Sequence, residues 1–452
     1  MTAGTAGTSG GRERTFGFLD HAALWGSLGL TLAIMPFGSL LVPSLSLGHA
    51  FLAVATAALL GGLMLATAAA IGAHTGLSSA ELFGRVLGMR GPQFMGALLT
   101  VRNVLWGAFA LALIADSAEL VSDRALGAGV RPLWVLLFGA TGLALAIAGP
   151  KYVVHKLLRR FGVWIALLIA VVITFSAFSE FGVPTNLQRP AVGGWPSFWQ
   201  AVGVMLLVPL LWLPLVADYS RHGRSVGTAF TGTAAGYFVG AAWFGSLGVI
   251  YLPAVETADI AGFVVGMQVG LIALVLLLVL QVDELFANTA SASISLRTAV
   301  AGADARLATL VAVAAAVTLA LAIDVVSYEG TLLLLASVFI PLFGVVVAGA
   351  ILGQMGGNGE PRLPVAAFIA WIGGFLLYHW IAPSDVDRWQ DAMQWLFADV
   401  LSLPFPLTDE VTWLGAAIPS FLAGAVIYGL AWAAARVVTP SAPSERVVTP
   451  DS

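Results

Sequence analysis

The chain has 452 residues, of which 59% are hydrophobic and only 10% charged, against about 25% charged in soluble domains. Runs of about 20 apolar residues recur along its length, which excludes a water-soluble core and predicts a polytopic all-α membrane protein. The net charge of −4 offers no basic face to nucleic acid, and the absence of cysteine excludes disulfides, thiolate metal sites and cysteine nucleophiles.

Met1 to Gly11 is rich in Gly, Ser and Thr and has no apolar centre. It does not read as a cleaved signal peptide, so the first membrane helix is expected to act as its own signal. Twelve transmembrane spans are predicted, centred near residues 33, 62, 108, 140, 167, 207, 239, 284, 314, 340, 373 and 424. Apolar sequence from Ala261 to Leu296 is too long for one crossing; a division at Gly266 and Gly270 leaves Ala258–Gln268 as a short segment on the outer side. With the N-terminus inside, every Lys and Arg falls on the cytoplasmic side except Arg124, Arg131, Arg189, Arg388 and the intramembrane Arg102. The positive-inside rule therefore predicts an inner-membrane protein with both termini in the cytoplasm.

In this topology span 1 enters from the inside and span 6 from the outside, so two sets of five spans face opposite ways. Both opening spans are interrupted, at Ile34-Met-Pro36-Phe-Gly38 with Ala33 just before it, and at Val208-Pro209-Leu-Leu211-Trp212-Leu-Pro214. Paired breaks at matching places of two halves point to a transport site at mid-membrane, where unwound backbone meets a polar ligand or ion. Span 3 carries Arg102, Asn103 and Trp106. Counted at 1.5 Å per residue, Arg102 lies about 18 Å from the cytoplasmic edge. Trp106 offers a flat face on which a planar ring can stack; packing alone explains it equally well.

Span 7 holds Gly232, Gly236 and Gly240 at four-residue spacing, a face for close helix contact. The turn Asp218-Tyr-Ser-Arg221-His-Gly-Arg224 fits either an inner gate latch built on Asp218 and Arg221 or a solvated loop. Span 8 contains the most unusual stretch. After a charge-free apolar run come Asp283, Glu284 and Asn288, with small residues Ala287, Ser291 and Ser295 at helical spacing, before Arg297 marks the membrane surface. The two acids sit about 20 Å deep, where an acid facing lipid costs about 2.5–3.5 kcal/mol. Two readings fit: an ion or substrate site inside the bundle, or a structural ion pair with Arg102 at similar depth. Trp380 to Trp395 reads as an interfacial outer loop, and the tail after Arg436 as disordered.

No phosphate loop, His-Glu-x-x-His or Gly-x-Ser-x-Gly motif is present, and the six histidines are scattered. An enzyme or an ATP-driven pump is disfavoured, no cofactor is expected, and a gradient-driven carrier remains.

Several stretches resemble the nucleobase:cation symporter-1 family, and within it the hydroxymethylpyrimidine and cytosine permease branch. These are Leu24-Trp-Gly-Ser-Leu-Gly-Leu-Thr, Gly72-Ala-His-Thr-Gly-Leu-Ser78, Gly193-Gly-Trp-Pro-Ser-Phe-Trp199 and, most specifically, Trp212-Leu-Pro-Leu-Val-Ala-Asp-Tyr-Ser-Arg-His-Gly-Arg-Ser225. Phe286-Ala-Asn288, Ser337-Val-Phe-Ile-Pro-Leu-Phe-Gly344 and Trp371 to Pro383 continue the resemblance, which covers about residues 20 to 435.

The resemblance implies a twelve-helix, five-plus-five inverted repeat of the LeuT type that imports a planar heterocycle with a monovalent cation. The expected division is a tail over 1–19, a first repeat over 20–180, a second over 195–353, two further helices over 364–436 and a tail over 437–452. It implies a stacking role for Trp106 and a polar contact from Arg102 or, one register on, Asn103. It further implies contacts near the second break from Pro209, Leu211 and Trp212, and polar-edge contacts from Glu284 and Asn288. Asp283 and Ala33 are expected to serve cation coupling. Relatives coupled to sodium carry hydroxyl residues near positions 282 and 283, which here are Val282 and Asp283. Asp283 therefore either ligates sodium or carries a proton. A same-fold carrier for an amino acid or a ureide such as allantoin, and a membrane sensor without transport, are the alternatives.

Overall fold

The computed structural model describes residues 14–31, 33–181, 190–255, 270–322, 324, 329–355, 363–382, 386–403 and 415–438. Among them every regular element is helical, and the only pairing of strand type is an isolated bridge between Phe16 and Gly223. Nine helical stretches among the described residues are long and apolar enough to cross a membrane. One of these, 131–180, holds two of the expected crossings. The expected outer segment Ala258–Gln268 and residues 439–452 of the expected C-terminal tail lie outside the described residues.

The first helix is broken near its middle. α1 (Phe18–Gly29) ends with the Leu30 N–H still bonded to the Gly26 carbonyl at 3.2 Å, the chain leaves the helix across Thr31 and Ala33, and α2 (Ile34–Ser39) begins. The break thus precedes the expected Ile34–Gly38 segment by a few residues. Pro36 is the third residue of α2, in the first turn, where N–H groups have no intrahelical acceptor and proline is tolerated. α3 (Leu47–Thr75), the short α4 (Ser79–Arg85) and α5 (Gly91–Leu126) follow. α6 (Arg131–Tyr152) turns at Gly149, whose φ of +83° favours glycine, and leads through a π-helical stretch (Val153–Gly162) into α7 (Val163–Phe181).

The second broken helix is built differently. α8 (Phe198–Trp212) tightens into a 3₁₀ turn, Leu213–Leu215, before α9 (Val216–Ser220) resumes. Here the proline, Pro214, lies within the 3₁₀ turn itself. α10 (Val226–Val255), α11 (Gly270–Ala299), α12 (Ala305–Ala322), α13 (Glu329–Ile351) and α14 (Pro364–Ile381) complete the main bundle. The stretch read as an interfacial loop contains a short helix, α15 (Asp387–Gln394), continued by a π-helical turn, and α16 (Ala417–Val438) closes the described chain.

Two helix pairs hold the centre. α5 and α11 pack along most of their length, and α10 packs on α1 through its glycine face. A Cβ added at Gly236 would lie 2.7 Å from Ala22 Cα, and one at Gly240 would lie 3.1 Å from Gly29 Cα. The spacing of Gly232, Gly236 and Gly240 therefore does what its small residues suggest: backbones touch where a side chain would hold them apart.

Candidate functional site

The two breaks, α5 and α11 converge on one small cavity. Its walls include Thr31 and Ala33 from the first break, Arg102, Trp106 and Phe109 from α5, Val208, Leu211 and Trp212 from α8, and Glu284 and Asn288 from α11. Seven residues picked from sequence as site candidates thus meet around it. Its water-accessible volume is about 30 Å³, room for a couple of water molecules and less than a heterocycle needs.

Arg102 organises the polar wall. It is 3% exposed, and its guanidinium donates from Nη1 to Asn103 Oδ1 at 2.7 Å and to Asn288 Oδ1 at 3.0 Å. Nη2 donates to the Leu211 carbonyl. Both amide oxygens must face Arg102, because a guanidinium can only donate. Each such charge-assisted bond contributes about 1.5–3 kcal/mol against the cost of burying the cation. The expected ion pair of Arg102 with Asp283 or Glu284 is not formed. Among the described residues, ion pairs join Arg131 to Asp116 and Asp20 to His155 and Arg159. The reason is geometric: Asn288, one turn beyond Glu284, and Asn103, next in the chain, present oxygens nearer the guanidinium. The Arg102 carbon centre also lies 5.7 Å from the Trp106 ring centroid, within cation–π range.

The acids divide between two tasks. Asp283 lies outside the lining and accepts from the Ser27 hydroxyl of α1, tying that helix to α11 beside the break. Glu284 faces the cavity near the Thr31 hydroxyl, which itself accepts from the Ala33 N–H at 3.1 Å. Asn288 is engaged at both ends of its amide, since its Nδ2 also donates to the main-chain carbonyl of Glu284 at 3.0 Å. Asn103 is buried behind Arg102 and does not line the cavity. Pro209 faces away from it, against Gly61 of α3. Ser27, Thr31 and Phe109 were not singled out from sequence. The four-residue spacing of Ser27 and Thr31 at the end of a broken helix was the available signal. Among the described residues no cluster of three or more His, Asp or Glu is placed to hold a metal ion.

The model of permeases for cytosine/purines, uracil, thiamine and allantoin matches residues 10–357. The chain belongs to this family. It is a permease of the nucleobase:cation symporter-1 type, and not an enzyme. Similar solved structures carry the fold likeness further. Mhp1, a nucleobase-cation-symport-1 family transporter, in a closed conformation with bromovinylhydantoin bound, superposes with a TM-score of 0.72 at 14% identity, over 95% of this chain and 94% of that one. The inward-facing conformation of Mhp1 gives 0.68 at 15% identity over 95% and 92%. MhsT in complex with L-phenylalanine gives 0.56 at 14% identity over 92% and 99%. No curated protein matches the chain by sequence.

The turn after the second break is held by buried polar contacts. Asp218, read from sequence as latch or solvated turn, is fully buried, and its Oδ1 accepts from the Ser79 N–H at 2.9 Å, at the start of α4. Tyr219 Oη donates to the Ala287 carbonyl at 2.9 Å. Arg221 lies beyond, in a cavity of about 490 Å³ shared with Glu81, Arg85 and Arg297. Asp218 and Tyr219 are therefore held between elements, while Arg221 is half-buried and Arg224 exposed. Nearby, Asp20 of α1 accepts from Gly17 N–H at 2.8 Å and meets His155 at 2.9 Å and Arg159 at 3.1 Å. Phe16 sits edge-on to His21 and His155. This second tie was absent from the sequence reading, although an acid three residues after Gly17, just before an apolar run, is a capping signature.

Proposed function

We propose that the permease is a cation-coupled symporter that imports a nucleobase or related planar heterocycle by alternating access. Pyrimidines such as cytosine and hydroxymethylpyrimidine are the first ligands to test. The observation that carries this reading is the cavity where two helix breaks meet Trp106, Arg102, Glu284 and Asn288. Trp106 stacks on the ring, while Arg102 and Glu284 address its polar edge. Asn288 holds Arg102 in place. Asp283, joined to Ser27, and Ala33, across the same break, engage the driving ion, sodium or a proton. Asp218 and Arg221 belong to the inner gate, and the helices form two inverted sets of five followed by two more, in an inner membrane with both termini in the cytoplasm. The family membership, the cavity's aromatic and polar lining and the placement of both breaks all support this reading.

The test is uptake by proteoliposomes under imposed sodium and proton gradients, scanned over pyrimidines and purines. Trp106→Ala and Asp283→Asn should each abolish uptake while the protein still inserts and purifies. Wild-type flux retained in both variants would remove the site assignment, and ligand binding without gradient-dependent flux would instead mark a sensor.

A further inference from the structure

The cavity contains more unanswered hydrogen-bond donors than acceptors. Of the five N–H groups on Arg102, three are used, two on Nη1 and one on Nη2. Among the described residues no acceptor engages the Nε–H or the second Nη2–H. Trp106 leaves its indole N–H without an acceptor, and Glu284 leaves Oε1 without a donor. Arg102, Trp106 and Glu284 all line the cavity. Arg102 and Trp106 can only donate, and an ionised Glu284 can only accept. Asn288, also in the wall, makes one bond at each end of its amide, and its second N–H adds a donor and no acceptor. A ligand that satisfies these groups must therefore bring several acceptors and at least one N–H.

We infer that the permease selects oxo-substituted rings, cyclic imides or ureides with two or more carbonyl oxygens, over amino-substituted ones. This rests on the reading of the cavity as a heterocycle site and narrows it. In uracil the two exocyclic groups are carbonyl oxygens, which suit Arg102 and Trp106, and a ring N–H remains for Glu284. Cytosine keeps O2 and the ring N3 as acceptors but places an amino group where uracil has its second oxygen; in the pose that sets uracil's oxygens on Arg102 and Trp106, that group brings two N–H donors toward a wall that already donates. A buried donor facing a donor is left unpaired, and sites of this kind discriminate strongly between close analogues. Arg102 is the specificity-determining residue in this scheme. Its orientation is fixed from three directions: its own helix through Asn103, α11 through Asn288, and the second break through Leu211.

The experiment is equilibrium binding of uracil, orotate and cytosine to the purified full-length permease in detergent, repeated with Arg102→Gln and Trp106→Phe. Wild-type protein should bind uracil or orotate at least about tenfold more tightly than cytosine, as one well-placed bond per ring suggests. Arg102→Gln should bring the ratio to within about threefold. Trp106→Phe keeps a stacking face without the N–H and should reduce the ratio by a smaller factor. Equal affinities, or a preference for cytosine, in wild-type protein would overturn the inference while leaving a heterocycle site in place. If none of the three ring compounds binds, the broader reading of the cavity falls with it. Should Arg102→Gln not fold, the wild-type ranking and Trp106→Phe still decide.

Discussion

Replacing Gly236 by alanine separates packing from helix propensity at the seam that sets α1 in place. An added Cβ would sit 2.7 Å from Ala22 Cα and 2.9 Å from Ala22 C. Both are backbone atoms and neither can rotate aside, so the two helices must part by about 1 Å to reach ordinary contact. Overpacking of this kind costs about 1–3 kcal/mol. The same substitution gains about 1 kcal/mol of intrinsic helix propensity. Gly429 supplies the control, because it lies inside α16 with nothing within 4 Å of its added Cβ. The propensity gain is common to both sites, so the difference between Gly236→Ala and Gly429→Ala isolates the steric cost, expected at about 1–3 kcal/mol. Thermal unfolding of the purified variants in one detergent measures it. Because α1 also carries Ser27, Gly236→Ala should reduce uptake, whereas Gly429→Ala should not. Variants that agree within about 0.5 kcal/mol would refute close backbone packing at this seam.

Asp218→Ala removes the buried acceptor of the Ser79 N–H and should cost about 1–3 kcal/mol, while Asp218→Asn keeps an acceptor oxygen and should cost less. Thermal unfolding of the pair checks this, and equal losses would mean that charge, not hydrogen bonding, fixes the turn. At the start of α12 the exposed Asp304 accepts from the Leu307 and Arg306 N–H groups at 2.9 Å, and the bond to Leu307 leads in holding its carboxyl below the usual range. A carboxyl depressed in this way stabilises the fold above its unfolded pKa and ceases to do so as pH falls through the folded value. Asp304→Ala should therefore be the less stable protein at neutral pH, with the gap closing on acidification. A gap independent of pH would contradict the capping role.

The features legible in the sequence were those that depend on residue type and period. Gly236 and its neighbours announced a close contact through spacing alone, and two charged stretches in apolar helices, Arg102 and Asp283-Glu284, announced a polar interior. The position of a break was less legible. Pro36 and Pro214 both drew attention to the right places, yet Pro36 lies in the first turn after its break and Pro214 within the 3₁₀ turn that forms the other, because a first turn is where a missing N–H costs least. Asp218 was ambiguous because its neighbours are hydrophilic; its burial follows from α4, whose first N–H groups need an acceptor from a segment 139 residues away. No local pattern encodes that approach. Pro209 shows the opposite limit, since knowing that it sits near a break does not tell which side of the helix meets Gly61 and which meets the cavity.

The partners of Arg102 show why charge counting alone misjudged the site. Opposite charges at equal depth suggest an ion pair, and a pair would have left Arg102 and Glu284 satisfying each other. Here Asn103, Asn288 and the Leu211 carbonyl take up the guanidinium instead, and Glu284 Oε1 is left without a donor. Keeping a buried cation and an acid apart costs more than joining them, by several kcal/mol where neither has other partners. The three charge-assisted bonds offset most of that cost for Arg102, while Glu284 has the Thr31 hydroxyl beside it. Separation leaves both groups open to a third party lying between them. A neutral amide is the side chain suited to this, because it can hold a guanidinium by its oxygen without cancelling its charge. Asn288 does so while its other end is fixed to the main-chain carbonyl of Glu284, so a single residue on α11 sets where the cation faces the cavity, one turn from the acid.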